Sequence, residues 1–131
     1  MAGNSTRILY IEDNPQNMRL VRKFLQMGGY EMLEAETGEQ GITIARNERP
    51  DLILMDINLP DVDGVAATNV LKADAETAHI PVIALTANAM HGDRERFLNA
   101  GCDDYLSKPV SKNELLEAVG ALIQQIEQRA S

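Results

Sequence analysis

Short apolar runs alternate along this chain with longer segments whose apolar residues recur at helical spacing. The apolar runs predict five strands, at 7–12, 30–36, 51–56, 80–86 and 104–107. The third and fourth runs are apolar at consecutive positions, as expected for central parallel strands covered on both faces. The intervening segments predict helices at 14–28, 37–48, 64–76, 93–100 and from 111 onward. Five strand–helix pairs predict a doubly wound, parallel α/β sheet with right-handed crossovers and helices on both faces.

Helix start signals support these assignments. Asn14 is a good N-cap residue, and the following Pro15 suits the first helical position. Thr37 with Gln40, and Ser111 with Glu114, have the spacing of a capping box. We therefore expect three helices to begin at these positions.

Composition limits the chain to one domain and excludes several kinds of partner. The 131 residues are enough for one core and too few for two. We expect a flexible N-terminus at 1–6, a domain at 7–127 and a frayed C-terminus at 128–131. The net charge of −8 argues against non-specific binding to nucleic acid or to an anionic membrane. A single cysteine and the absence of a long apolar run indicate a cytoplasmic protein.

Charged and hydroxyl side chains follow the predicted strands at the edge where open α/β sheets bind ligands. Glu12 and Asp13 follow the first strand, Asp56 ends the third, Thr86 ends the fourth, and Lys108 follows the fifth. Grouped carboxylates repel one another unless they share protons or bind a cation, and both explanations remain open. Mg²⁺ prefers such oxygen ligands. With that ion bound, Asp56 could attack a phosphoryl group, which Lys108 and Thr86 would help to stabilise.

These residues resemble a known family, the response-regulator receiver domain, which is CheY-like and has a flavodoxin-like fold. The matching motifs occur in the family's order over nearly the whole chain: Glu12-Asp13-Asn14, Met55-Asp56-Ile57-Asn58-Leu59-Pro60 with Asp63-Gly64, Thr86-Ala87 and Lys108-Pro109. Any one of them is weakly specific, but the four together are highly specific. The resemblance implies a five-stranded sheet of order 2-1-3-4-5 with five helices.

The resemblance also implies a phosphoacceptor and a metal site. Asp56 would receive a phosphoryl group from a phosphohistidine on a histidine kinase or a histidine phosphotransfer protein. Mg²⁺, or Mn²⁺, would bind Asp13, Asp56 and the main-chain carbonyl of Asn58, with Glu12 acting through water. The bond between Lys108 and Pro109 would be cis, as is usual in the family.

A switch and an output surface are implied as well. Thr86 would move toward the phosphoryl group while Tyr105 turns inward, and the face formed by helix 4, strand 5 and helix 5 would change shape for a downstream protein. Asn58 and Asn88, two residues beyond Asp56 and Thr86, would influence the lifetime of the phosphoryl group.

The motifs also bear on the type of receiver and on two alternative functions. The run 79–109 resembles single-domain receivers of the DivK type, whereas 12–17 resembles receivers attached to hybrid histidine kinases; the free-standing type is expected. Such a protein is not an enzyme with a separate substrate, since it catalyses only its own phosphorylation and dephosphorylation. A magnesium-dependent aspartyl phosphatase would need an acid where Asn58 stands. A phosphate-independent interaction module would have no need for the complete set of acids, Thr86 and Lys108.

Overall fold

The structure is a computed structural model that describes residues 6–87 and 93–130. In these residues five parallel strands form one sheet in the order β2-β1-β3-β4-β5, as predicted. The strands are β1 (Arg7–Ile11), β2 (Glu31–Ala35), β3 (Leu52–Asp56), β4 (Val82–Thr86) and β5 (Asp104–Ser107). The helices are α1 (Pro15–Met27), α2 (Gly38–Glu48), α3 (Gly64–Ala73), α4 (Asp93–Asn99) and α5 (Lys112–Ala130). No helix within these two ranges is long and apolar enough to span a membrane.

The helices cover both faces of the sheet, and the central strands are buried throughout. Every residue of β3 and β4 is buried, which matches their uninterrupted apolar sequences. Side chains of β1 alternate between the two faces: Leu9 and Ile11 pack with α2, α3 and α4, whereas Ile8 and Tyr10 pack with α1 and α5. The alternation therefore places successive β1 side chains in the two different halves of the core.

The three predicted N-cap side chains form the expected hydrogen bonds at the starts of α1, α2 and α5. The Asn14 side chain accepts hydrogen bonds from the backbone N–H groups of Gln16 and Asn17, at 2.8 and 3.1 Å. Thr37 Oγ1 accepts one from the N–H of Gln40, at 3.1 Å. Ser111 Oγ likewise accepts one from the N–H of Glu114, at 3.1 Å. Each bond satisfies a donor that the helix itself leaves unpaired.

The third helix is shorter than the sequence pattern predicted. It ends at Ala73 rather than at 76, because Asp74 takes an extended conformation and its carboxylate accepts a 2.9 Å hydrogen bond from the N–H of Glu76. Thr77 Oγ1 donates to the carbonyl of Leu71 at 2.7 Å. These local side-chain bonds form a turn in place of another helical turn.

Candidate functional site

Lys108 joins two carboxylates that are far apart in the sequence. Its Nζ lies 2.8 Å from Glu12 Oε1, 96 residues away, and 2.9 Å from Asp56 Oδ1, 52 residues away. Glu12 follows β1 and Asp56 ends β3, so the parallel order of the strands brings both to the same edge. The bond between Lys108 and Pro109 is cis, as the resemblance implied. The structure therefore places this ammonium group between the acids that the sequence singled out.

Four donors surround the carboxylate of Glu12, of which only 1% is exposed. Its Oε1 accepts hydrogen bonds from the Tyr10 hydroxyl at 2.7 Å, Lys108 Nζ at 2.8 Å and Asn17 Nδ2 at 3.4 Å. Its Oε2 accepts one from the N–H of Asn14 at 3.2 Å. Neither Tyr10 nor Asn17 was expected from the sequence to contact Glu12. The two-residue period of a strand, which puts Tyr10 and Glu12 on one face, was the signal available for Tyr10.

Three carboxylates lie close enough to share a cation. One oxygen from each of Glu12, Asp13 and Asp56 lies within 4.8 Å of the others. Asp13 is exposed, whereas the other two acids are buried. A set of carboxylate oxygens that is open on one side suits Mg²⁺, which commonly keeps several waters and takes one or two carboxylates from the protein. The donor chemistry therefore fits the expected ion.

Burial and mutual proximity shift the ionisation of this group. Burial raises the pKa of Asp56 to about 6, and the neighbouring Glu12 adds to the rise although Lys108 opposes it. Burial would also raise the pKa of Glu12, but the hydrogen bonds from Lys108 and Tyr10 outweigh it and hold that pKa below its usual value. Burial lowers the pKa of Lys108, but its two carboxylate partners more than compensate and raise it. At neutral pH the site therefore holds a net negative charge that a divalent cation can offset.

The loop between β3 and α3 packs tightly against the end of β3. The N–H of Asn58 donates to Asp56 Oδ1 at 3.2 Å, and Asn58 also forms an isolated antiparallel bridge with Asp63. Gly64 follows, and a Cβ there would lie 2.5 Å from the carbonyl oxygen of Asp56 and 2.7 Å from the Cα of Ile57. Only a glycine lets the helix start so close to the strand. This packing sets where the backbone of Asn58 lies relative to Asp56.

Two acids of the same loop attach it to neighbouring helices. The carboxylate of Asp61 accepts hydrogen bonds from the N–H groups of Gly38 and Glu39, at 2.8 and 2.9 Å, at the start of α2. Asp63 caps α3 through the N–H of Val65 at 2.8 Å, and its other oxygen lies 2.7 Å from Nη2 of Arg96 on α4. The loop is thus fixed to three helices.

Thr86 and Tyr105 occupy neighbouring strands. Thr86 is buried at the end of β4 and lies opposite Ser107 of β5. Tyr105 is half-buried, and its ring centroid lies 6.1 Å from that of Phe97 on α4. The remaining predicted site residue, Asn88, lies outside the described residues.

A comparison with known families agrees with this geometry. The model of the response regulator receiver domain matches residues 8–120. The chain belongs to the response-regulator receiver family. It is therefore a two-component signalling module, and no enzymatic family is indicated.

Individual relatives indicate which type of receiver this chain resembles. It is 47% identical to the polar-differentiation response regulator DivK of Brucella anthropi over 112 residues, which cover 86% of this chain and 91% of that protein. The corresponding DivK of Brucella ovis is 46% identical over the same shares of both chains. This close similarity confirms the resemblance to DivK-type receivers.

Solved structures of receivers confirm the fold. The receiver domain of the sensor histidine kinase PA1611 from Pseudomonas aeruginosa, which has a magnesium ion coordinated in its active-site cleft, superposes with a TM-score of 0.85 at 41% identity. That match covers 92% of this chain and 98% of the other. A CheY-like receiver from Methanospirillum hungatei gives a TM-score of 0.87 at 31% identity, covering 96% and 99% of the two chains.

Proposed function

We propose that this receiver accepts a phosphoryl group on Asp56 from a phosphohistidine and thereby changes the proteins that it binds. The donor would be a histidine kinase or a histidine phosphotransfer protein. The observation that carries the proposal is the pairing of Lys108 with a buried Asp56 beside two further carboxylates. Asp56 is a buried acid with a raised pKa, and its carboxylate accepts hydrogen bonds from an ammonium group and from the loop that follows it. Such an acid is more typical of a functional site than of an ordinary surface position.

The transfer step needs a nucleophile and charge stabilisation. An oxygen of Asp56 forms a bond to phosphorus while the bond between phosphorus and one imidazole nitrogen of the donor breaks. The imidazole leaves as a neutral ring that keeps the proton on its other nitrogen. Lys108 turns from Glu12 and Asp56 to a phosphoryl oxygen, and the hydroxyl of Thr86 donates to another. Asp13, Asp56 and the carbonyl of Asn58 would hold Mg²⁺, with Glu12 acting through water. The ion would offset the negative charge that otherwise separates the reactants.

The output would be a protein surface. As Thr86 moves toward the phosphoryl group, Tyr105 would settle further against the core, and the surface formed by α4, β5 and α5 would change for a downstream target. Asn58 and Asn88 would influence how water reaches the phosphoryl aspartate. If the phosphoryl group has an unchanged lifetime after Asn58 and Asn88 are both replaced by alanine, they do not have that role. The proposed place of action is the cytoplasm, in keeping with a single, unpaired Cys102.

Intact-mass measurement tests the proposal. The protein is incubated with acetyl phosphate, with Mg²⁺ or with a chelator, and we expect a gain of one phosphoryl group only when the ion is present. Mn²⁺ should substitute for Mg²⁺. The variant Asp56→Asn should gain nothing, whereas Asp51→Asn, just before the other end of the same strand, should behave as wild type.

Other results would overturn it. Uptake of phosphate by Asp56→Asn, or uptake without a divalent ion, would place the acceptor or the chemistry elsewhere. If partner binding is unaffected by acetyl phosphate and by the substitution Asp56→Asn, the protein is a phosphate-independent interaction module. Turnover of a simple phosphate ester would indicate a phosphatase, although Asn58 offers no acid for the leaving alcohol.

A further inference from the structure

Tyr10 has a polar contact that packing alone does not explain. Its ring is buried, with 1% of the residue exposed, among apolar side chains of α1 and α5. Its hydroxyl nevertheless points along the face of β1 to Glu12, two residues further, and donates a 2.7 Å hydrogen bond to Oε1. A phenylalanine would fill the same space without that bond. The hydroxyl therefore serves the carboxylate rather than the core.

The same oxygen is the one that Lys108 contacts. Lys108 Nζ lies 2.8 Å from Glu12 Oε1, and Asn17 Nδ2 lies at the longer distance of 3.4 Å. In the proposed reaction, Lys108 turns toward a phosphoryl oxygen. The Tyr10 hydroxyl then remains as the short hydrogen bond to that oxygen, on a carboxylate that is almost fully buried. A buried carboxylate deprived of its donors is strongly destabilised or changes orientation.

We propose that Tyr10 is a positioning residue, whose hydroxyl holds the buried carboxylate of Glu12 toward the cation site and keeps it satisfied when Lys108 leaves. The proposal rests on the proposed function for the step in which Lys108 moves, but the holding of Glu12 can be tested without phosphorylation. Hydrogen bonds from outer groups orient metal-binding side chains and tune their affinity for the ion. Tyr10 donates such a hydrogen bond to Glu12, which would contact the ion through water.

The test is a double-mutant cycle on Mg²⁺ binding by the unphosphorylated protein. Calorimetry measures the Mg²⁺ dissociation constant of wild type, Tyr10→Phe, Glu12→Gln and the double variant. We expect Tyr10→Phe to weaken binding by about tenfold, the lower end for loss of an outer-shell partner. In the Glu12→Gln background the same change should have an effect of about twofold or less, since the charge that the hydroxyl holds is gone. Tyr30→Phe, at a tyrosine that follows the C-terminal end of α1, should bind Mg²⁺ as wild type does.

Two results would overturn the proposal. One is an unchanged Mg²⁺ dissociation constant in Tyr10→Phe. The other is an equal loss in the presence and absence of the Glu12 charge, which would mean that Tyr10 acts only through packing. If Tyr10→Phe does not fold, the hydrogen bond is tested in a protein that keeps Tyr10. The NMR resonance of Tyr10 Cζ should shift when Glu12 is replaced by glutamine, and an unchanged resonance would contradict the contact.

Phosphorylation is measured separately in the same variants. At saturating Mg²⁺, Tyr10→Phe should take up phosphate from acetyl phosphate more slowly than wild type, because Glu12 Oε1 loses both of its short hydrogen bonds when Lys108 turns away. If wild type takes up no phosphate, the proposed function fails, while the cycle on Mg²⁺ binding still decides whether Tyr10 positions Glu12.

Discussion

The ammonium group of Lys108 donates a 2.9 Å hydrogen bond to Asp56 Oδ1, and only 19% of the lysine side chain is exposed. This contact is partly shielded from water, so its electrostatic strength exceeds that of the surface ion pairs elsewhere in the molecule. Lys108 also pairs with Glu12 and so separates two negative charges. We therefore expect Lys108 to stabilise the metal-free protein.

Replacing Lys108 by methionine tests that role. Lys108→Met should lower the free energy of unfolding of the metal-free protein by about 2 kcal/mol at pH 8, because two buried carboxylates lose their shared partner. Mg²⁺ should restore part of the loss, since it supplies the missing positive charge. Urea titrations with a chelator and with Mg²⁺ measure both effects, and Lys23→Met on the exposed side of α1 is the control. Equal stabilities of Lys108→Met and wild type would contradict the prediction.

The raised pKa of Asp56 predicts how its contribution to stability depends on pH. The folded protein binds this proton with a pKa of about 6, whereas an unfolded Asp has a value of about 3.9. Folding therefore favours the protonated form, and the stability from Asp56 is full below about pH 4 and is lost as the pH rises through about 6. Without divalent ions, Asp56→Asn should become progressively more stable than wild type between pH 5 and pH 7.5.

Thermal unfolding in the presence of a chelator checks this trend, with Asp51→Asn as the control that should not reproduce it. Mg²⁺ competes with the same proton, so its affinity for wild type should rise over this pH interval and level off above it. A stability difference between Asp56→Asn and wild type that is constant with pH would mean that Asp56 ionises as an ordinary surface acid.

Gly64 provides a test of how closely α3 approaches β3. A Cβ at this position would meet backbone atoms of Asp56 and Ile57, which cannot rotate away. Gly64→Ala should therefore destabilise the protein by about 2 kcal/mol and weaken Mg²⁺ binding by displacing Asn58. Gly120→Ala is the matched control, because nothing lies within 4 Å of a Cβ there, and it should stabilise α5 by about 0.5–1 kcal/mol. Urea denaturation distinguishes the two, and similar effects of both would contradict the packing described.

Asp63 and Arg96 form an ion pair whose two members should contribute unequally. Both side chains are nearly half exposed, so the pair itself contributes at most about 0.5 kcal/mol in moderate salt. Asp63 additionally caps α3, and loss of such a cap costs about 1 kcal/mol. Asp63→Ala should therefore lower the free energy of unfolding more than Arg96→Ala does. Denaturant titration of both variants at low and high salt measures this, and equal losses would show that the cap contributes nothing.

The fold, and the position of the candidate site residues at one edge of the sheet, could be predicted from the sequence because each depends on local patterns. Uninterrupted apolar runs identified β3 and β4, and the residues at strand ends identified Asp56, Thr86 and Lys108. The contact of Asp61 with the start of α2 spans 23 residues and depends on how a loop packs, which no local pattern specifies. The end of α3 was predicted too late, because the hydrogen bonds of Asp74 and Thr77 compete with the helix at positions whose apolar spacing does not change.

The pairing of Lys108 with Glu12 joins residues 96 positions apart, almost the full length of the domain. The ion-paired site thus depends on a contact of very high sequence separation, whose formation requires closure of a long intervening loop. During synthesis, Asp56 leaves the ribosome well before Lys108 does. A nascent or half-folded chain therefore presents Asp56 without its ammonium partner, so the ion-paired site exists only in the finished fold.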